Sequence, residues 1–241
     1  MIAALVVVAL ASASPSEGSG VDTSVDSSAI SFALDVPRIV LGDTKSATIL
    51  VKARHKDGSP MDASEPRLVV NVGTVGALEH LAPGNWKATY TPPPEGPPQV
   101  AIAMAVINGA DAANDASDAH DAVGFFAMPL WGKGNVVVKT KPSTDVTLKA
   151  GTSRLGPVKA DATGKAVVPL MLPPGVKSAT TKAEDEAGNT AERTIDLGVP
   201  PFVRVEVVAL DEIAVATQTA RLFAVAVDES GAPMKDAPLV A

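Results

Sequence analysis

Hydrophobic and polar side chains alternate in short runs through the middle of the chain, from Gly124 to Pro200. In Asp145–Lys149, for example, Val146 and Leu148 share one face and polar side chains share the other. Turn signals rich in glycine and proline separate the runs at Lys141-Pro142-Ser143, Ala150-Gly151, Ala162-Thr163-Gly164, Pro173-Pro174-Gly175 and Ala187-Gly188-Asn189. Short strands recurring about every 8–12 residues with such turns predict an antiparallel β-sandwich or barrel.

A similar pattern precedes this stretch, between Ala29 and Ile107. Lys45–Arg54 places its small and branched apolar side chains on one face and ends in a turn signature around Asp57-Gly58. Further strands are expected at Arg67–Val72, Thr74–Leu78, Trp86–Thr91 and Gln99–Ile107. Val100–Ile107 is apolar on both faces, which fits a buried strand or a helix. Its brevity, with Pro-Pro before it and Asn-Gly after it, favours the strand.

The chain repeats itself after Pro200. Residues 221–234, ending in Gly231-Ala232-Pro233-Met234, resemble residues 48–61 at an offset of 173. Only 41 residues follow Pro200, whereas a sandwich of this type takes about 100. The third unit is therefore expected to be incomplete, and to be completed by further chain or by a partner.

These patterns predict an all-β chain of tandem sandwiches. The expected segments are a signal peptide (1–14), a flexible leader (15–28), a first sandwich (29–108), an acidic Ala/Asp linker (109–123), a second sandwich (124–199) and the start of a third (200–241).

Composition narrows the functional classes. The net charge of −7 argues against nucleic acid as a partner, because nucleic-acid binding requires basic surfaces. Cysteine is absent, which excludes disulfides, thiolate metal sites and cysteine nucleophiles. No apolar run reaches the ~18–20 residues that a transmembrane helix needs, so no transmembrane segment is expected.

The N-terminus has the pattern of a secretory signal. Ile2–Leu10 is an apolar core, and Ala11-Ser12-Ala13 is a small-x-small cleavage site, although no Lys or Arg precedes the core. Export to the periplasm, cell surface or medium is therefore expected. The alternatives are an ordinary buried segment and a start codon placed too far downstream.

The segment 109–123 carries four aspartates, at Asp111, Asp115, Asp118 and Asp121, and no lysine or arginine. A helix would align these carboxylates on one face, where they would repel one another. Two interpretations follow: a solvated acidic linker, or a calcium site between tandem domains, since calcium prefers carboxylate oxygens. The spacing does not match the usual calcium-loop motif. Apart from calcium, no cofactor is expected.

Three of the chain's eight aromatic residues, Phe125, Phe126 and Trp131, follow the acidic segment. They are candidates for an exposed patch that binds a sugar or a protein. The alternative is that they are buried side chains of the first strand of the second sandwich and of its contact with the neighbouring domain.

No catalytic constellation is evident. His55, His80 and His120 do not form a metal-binding pair, and no nucleophile elbow or phosphate-binding loop occurs. A non-catalytic protein is expected.

Two motifs of the first unit stand out: Lys45–Arg54 with its Asp-Gly-Ser-Pro turn, and Gly84-Asn85-Trp86-Lys87-Ala88-Thr89-Tyr90. They resemble the turn and strand motifs of bacterial immunoglobulin-like domains of the invasin/intimin type. The resemblance implies immunoglobulin-like sandwiches displayed in tandem at the cell envelope, with no catalytic residues. The expected function is a structural, adhesin-type spacer. The alternative is a module that binds an unknown protein or surface glycan through the aromatic stretch.

Overall fold

The computed structural model describes residues 5–7, 29–62, 64–108, 121–201, 203–210 and 221–234, and all regular structure in these ranges is β-strand. The strands are β1 (Leu5–Val7), β2 (Ile30–Leu34), β3 (Ile39–Val40), β4 (Ala47–Ala53), β5 (Arg67–Val70), β6 (Thr74–Val75), β7 (Glu79–Ala82), β8 (Asn85–Thr91), β9 (Gln99–Ile107), β10 (Ala122–Lys139), β11 (Asp145–Ala150), β12 (Ser153–Lys159), β13 (Lys165–Leu172), β14 (Ser178–Glu184), β15 (Thr190–Asp196), β16 (Arg204–Ala209) and β17 (Arg221–Val227). Across these ranges there is no helix long and apolar enough to cross a membrane.

The first sandwich packs two sheets against each other. One sheet has the order β2–β4–β8–β6, with β7 also paired to β8, and the other has the order β5–β9–β10, with β3 beside β10. This is the ABED and CFG arrangement of immunoglobulin-like domains. The alternation predicted for β4 is observed, because Ala47, Ile49, Val51 and Ala53 are all buried in the core. The prediction of an all-β, immunoglobulin-like fold is confirmed.

Strand β9 is buried on both faces, as its unbroken apolar sequence predicts. One set of alternate side chains, including Ala101, Ala103 and Ala105, faces the core of the first sandwich. The other set belongs to a second apolar core, shared with β16 and β17. A strand apolar in both registers therefore lies in the middle layer of three.

Strand β10 belongs to both sandwiches. Its first part, Ala122–Leu130, pairs antiparallel with β9, and Leu130 and Trp131 pair with β3. Its last part, Gly132–Lys139, pairs with β13 of the second sandwich. The boundary drawn between residues 123 and 124 therefore falls inside one continuous strand.

The acidic segment is correspondingly misplaced in the predicted division. It joins β9 to β10, which are neighbouring strands of one sheet, so it is a connection within the first sandwich and not a linker between sandwiches. Its change in composition resembles that of a domain linker, and composition does not reveal strand pairing. Residues 109–120 themselves lie outside the described part of the chain.

The second sandwich packs the sheet β12–β11–β14–β15 against the pair formed by β13 and the last part of β10. Val146 and Leu148 are fully buried in its core, as their alternation predicts. A tight turn connects β12 to β13. Gly164 adopts a positive φ there, and the Asp161 carboxylate accepts hydrogen bonds from the Thr163 and Lys165 amides.

Strands β16 and β17 form an antiparallel hairpin, and β1 lies parallel beside β17. The turn after β17 reproduces the turn after β4. Ser59 O accepts from His55 N as Ala232 O accepts from Asp228 N, and Gly58 and Gly231 both have positive φ. The repeat seen in the sequence is thus a structural repeat, down to its main-chain hydrogen bonds. Leu5–Val7, predicted as part of a signal peptide, forms the strand that a cleavage would remove.

The close contact between β10 and β2 depends on Gly124. A Cβ added there would lie 2.7 Å from the Ile30 Cβ and 2.8 Å from the Ile30 carbonyl oxygen, whereas a Cβ at Gly134 meets nothing within 4 Å. We expect Gly124→Ala to lower the free energy of unfolding by about 1–3 kcal/mol, since an overpacked contact must shift the backbone. Chemical denaturation would measure this, with Gly134→Ala in the same strand as the matched control. Equal stabilities of the two variants would contradict the close approach.

Candidate interaction surface

The hairpin β16–β17 covers the outer face of the first sandwich. Val100, Ile102, Met104 and Val106 of β9 form one side of the contact. Val208, Leu210, Phe223, Val225 and Val227 of the hairpin segment form the other. Phe223 is 1% exposed, and this is the largest side chain that the hairpin buries. The contact is therefore a largely apolar interface between two modules, which we call the docking interface.

The repeat explains why β17 docks where β4 does not. At the offset of 173, Leu50 and Lys52 of β4 correspond to Phe223 and Val225 of β17. In the first sandwich these two positions point to solvent, with Leu50 39% exposed. In β17 they carry large apolar side chains and are buried. The hairpin β16–β17 thus has a second apolar face that the hairpin β2–β4 lacks, and this face packs against β9.

Polar contacts surround the docking interface. Arg204 donates from Nη2 to Gln99 Oε1 at 2.5 Å, and the Arg67 guanidinium donates to the Ala209 carbonyl. Lys177, at the end of the second sandwich, forms an ion pair with Glu229 in the hairpin turn, with an Nζ–Oε1 distance of 2.7 Å. The hairpin therefore contacts both sandwiches.

The docking interface also contains a carboxyl group. Glu206 lies on the same face of β16 as Arg204 and Val208, opposite Val225. Burial raises the pKa of Glu206 above its usual value. Its ionised form is therefore disfavoured while the hairpin is docked.

The structure does not bring the three candidate aromatic residues together. Phe126 faces the core of the first sandwich, where its ring stacks on Phe32 with centroids 6.1 Å apart. Phe125 points to the opposite face of β10, against the docking interface. Trp131 lies farther along the strand, and the Arg38 guanidinium sits 4.5 Å from its ring centroid. Each ring is only partly buried, but they do not form one patch.

Arg38 and Trp131 lie where the two sandwiches meet. Arg38 also donates to the Met171 thioether of β13 at 3.5 Å, and Lys133 forms an ion pair with Asp43. Exposed cation–π contacts of this kind contribute about 0.5–1 kcal/mol. The Arg38–Trp131 contact supports the junction between sandwiches, a role that the aromatic count alone does not reveal.

Asp111, Asp115 and Asp118, the predicted calcium ligands, lie outside the described residues. Asp121 is described and is buried, at 7% exposure, just before β10 begins. In the ranges that the structure describes, no three acidic or histidine side chains are placed to hold a metal ion. The calcium site remains a prediction.

The described histidines lie in structural settings. His80 Nε2 lies 2.8 Å from Asp62 Oδ1, and its ring tilts over Trp86 with centroids 5.7 Å apart. The hydrogen bond from the Gly84 amide lowers the pKa of Asp62 the most, and the hydrogen bond with His80 lowers it further. His55 begins the turn after β4, and His120 lies outside the described ranges.

One surface feature was missed by sequence reasoning. A cleft of about 580 Å³ runs between the edges of β10 and β15, lined on one side by Val136–Thr140 and on the other by residues including Ala183 and Ile195. In the described part of the chain, β13 is the strand that pairs with this part of β10, so the opposite edge borders the cleft. Strand edges arise from tertiary pairing and leave no local signal in the sequence.

No protein-family model matches the chain, and no curated protein matches it. Among solved structures, it is similar to the Yersinia pseudotuberculosis adhesin InvE, with 13% identity over 74% of this chain and 61% of that chain, and a TM-score of 0.33. It is also similar to Yersinia pseudotuberculosis InvD, with 11% identity over 87% of this chain and 73% of that chain, and a TM-score of 0.34. A third similar structure is Dpr11 IG1 bound to DIP-gamma IG+IG2, with 9% identity over 69% and 96% of the two chains and a TM-score of 0.24.

The chain thus spans about 61% of the InvE chain that it matches. The assignment of the immunoglobulin-like fold rests on the sheet order of the first sandwich.

We expect Phe223→Ala to destabilise the docked hairpin by about 3–5 kcal/mol, the usual loss for a buried aromatic side chain. The matched control is Leu50→Ala at the equivalent position of β4, where solvent exposure makes the expected loss well under half as large. Hydrogen exchange of the β16 and β17 amides would measure the effect locally. Equal protection in both variants would show that the hairpin does not depend on the docking interface.

We expect Glu206→Gln to raise the melting temperature at pH 7 but not at low pH. Because the folded state raises the pKa of Glu206, ionisation costs stability as the pH rises through that pKa. Below the ordinary pKa of about 4.3, both states carry the proton and the variant has no advantage. Calorimetry across this pH range would measure the difference, with Glu95→Gln at an exposed site as the control. A pH-independent difference would contradict the titration of Glu206.

Proposed function

We propose that this protein is a non-catalytic, exported, adhesin-type spacer that holds its immunoglobulin-like modules in a fixed arrangement. The observation that carries the proposal is the continuity of β10. This strand spans 18 residues, roughly 60 Å if straight at about 3.3 Å per residue. It leaves the first sandwich and enters the second without a loop.

A shared strand makes a stiff junction. Bending it would disturb the ladders that β10 forms with β9 on one side of the junction and with β13 on the other. By contrast, tandem domains joined by a flexible linker move independently. The Arg38–Trp131 contact and the Lys133–Asp43 ion pair lie at the same junction and add local support.

The docked hairpin extends this arrangement to the third module. It is attached to the first sandwich through an apolar core and to the second through Lys177 and Glu229. Fixed placement of three modules suits a protein that positions something at a distance. A protein or surface glycan is the class of partner that such a spacer would present or contact.

Export and envelope location belong to the same proposal. They are supported by the apolar run Ile2–Leu10 with its small-residue cleavage pattern. The resemblance of residues 45–60 and 84–90 to invasin-type domains agrees with display at a surface.

The rigidity of the junction can be tested with a short Gly/Ser insertion between Trp131 and Gly132, which interrupts β10 where its pairing with β9 and β3 ends and its pairing with β13 begins. The matched control places the same insertion in the exposed turn at Lys141-Pro142. Nitrogen-15 relaxation would give rotational correlation times for each sandwich, and small-angle scattering the overall dimensions. We expect one common correlation time in the unaltered chain and in the control, and separate, shorter times after the junction insertion.

Independent tumbling of the two sandwiches in the unaltered chain would overturn the rigid-spacer proposal. Measuring small-angle scattering and the melting temperature with calcium and with a chelator tests the predicted site at Asp111, Asp115, Asp118 and Asp121. Dimensions and melting temperature that do not respond to calcium would reject that site and leave the spacer proposal standing.

A further inference from the structure

The hairpin β16–β17 reproduces the hairpin β2–β4 residue by residue. Three pairs of opposed residues correspond: Ile30–Ala53 to Val205–Ala226, Phe32–Val51 to Val207–Ala224, and Leu34–Ile49 to Ala209–Leu222. The turns that follow share their hydrogen bonds and their Pro bridges to Arg54 and Val227. The equivalence therefore identifies which face of the hairpin corresponds to the inner face of a sandwich.

In the first sandwich this inner face is covered. Ile30, Ile49 and Val51 pack beneath the sheet of β5, β9 and β10, and Ile49 is 0% exposed. In the third unit the equivalent face points away from the docking interface. Val205 and Val207 are 44% and 50% exposed, and Val203 just before β16 is 53% exposed. The face that forms core in the first sandwich is thus exposed along β16, whereas Ala224 of β17, the equivalent of Val51, is 6% exposed.

The edge of β17 gives a second, independent correspondence. In the first sandwich the edge of β4 that faces away from β2 pairs with β8, and Ile49 opposes Ala88. In the third unit β1 lies on the same edge of β17, where Val6 opposes Leu222, the equivalent of Ile49. A three-residue parallel strand therefore occupies part of the position that a seven-residue antiparallel strand fills in the complete sandwich. This edge is able to accept a strand.

We infer that the outward face of β16–β17, together with the β17 edge, is the docking site for the other half of a third immunoglobulin-like sandwich. Its occupant is a set of strands equivalent to β5–β10: one strand with the pattern of β8 at the edge, and an apolar sheet like β5–β9–β10 over Val205 and Val207. This inference is independent of the spacer function, because it concerns completion of the fold and not stiffness.

The chain itself supplies a probe for this site. Since Met234 corresponds to Met61, a second copy of residues 62–139 can be joined directly after Met234, in register with the repeat. The natural sequence has no cysteine, so Val207→Cys introduces a single reactive thiol on the proposed face. Leu50→Cys, on the solvent face of β4, is the matched control.

Maleimide labelling would then be compared with and without the added strands. We expect the added strands to slow labelling at residue 207 on the order of tenfold or more, because reaction then requires the new sandwich to open. Labelling at residue 50 should stay the same. Val205→Asp in the extended chain should restore fast labelling at residue 207, since a buried, unpaired carboxylate opposes closure. Unchanged labelling at residue 207 in the extended chain would overturn the inference.

Two measurements on the 241-residue chain remain decisive if the extended chain does not fold. The double variant Val205→Asp, Val207→Asp should shift the melting temperature by no more than about 2 °C, as for solvated positions. A larger loss would show that the face is already covered, which overturns the inference. Labelling at residue 207 should not depend on protein concentration. Protection that grows with concentration would identify a second copy as the occupant instead.

Discussion

The structure depends on one strand that is buried on both sides. In β9 the side chains facing the first sandwich are mostly alanine, which leaves room for Trp86 and Tyr90 from the opposite sheet. The side chains facing the hairpin are larger, with Ile102 and Met104 filling the docking interface. Close packing requires this division, since each core must be filled without voids. The first core and the docking interface therefore lie on opposite faces of this strand.

The second constraint is that β10 changes partners without ending. Its alternation continues through the exchange: Phe126, Met128 and Leu130 face the first core, and Val136 and Val138 face the second. Gly132 lies at the changeover, where a Cβ would approach the Pro98 ring at 2.7 Å. Two sandwiches are therefore joined by main-chain hydrogen bonds, which resist bending more than surface ion pairs such as Lys177–Glu229 do. This geometry supports the proposed spacer function.

Local patterns in the sequence predicted much of the fold. The alternation in β4 and β11 identified the buried faces, because successive side chains of a strand point to opposite sides. The turn glycines Gly58 and Gly231 marked the ends of two hairpins, since their positive φ is accessible mainly to glycine. The repeat at an offset of 173 correctly linked those hairpins, and double-sided apolarity identified β9 as a buried strand.

What the sequence alone determined is therefore where most strands lie, where the chain turns and which side chains share a face, because these properties depend on neighbours along the chain. The prediction of one strand at Thr74–Leu78 was wrong in its bounds, since the structure forms β6 at Thr74–Val75 and β7 at Glu79–Ala82. The tertiary structure alone decided what covers each face. It placed Phe125 and Phe126 in different cores, and it assigned the start of β10 to the first sandwich. It also docked the hairpin β16–β17 through Phe223, leaving Val205 and Val207 exposed. The two-residue period of a strand divides its side chains between two faces. Which face is buried depends on partners distant in sequence, so the period does not reveal it.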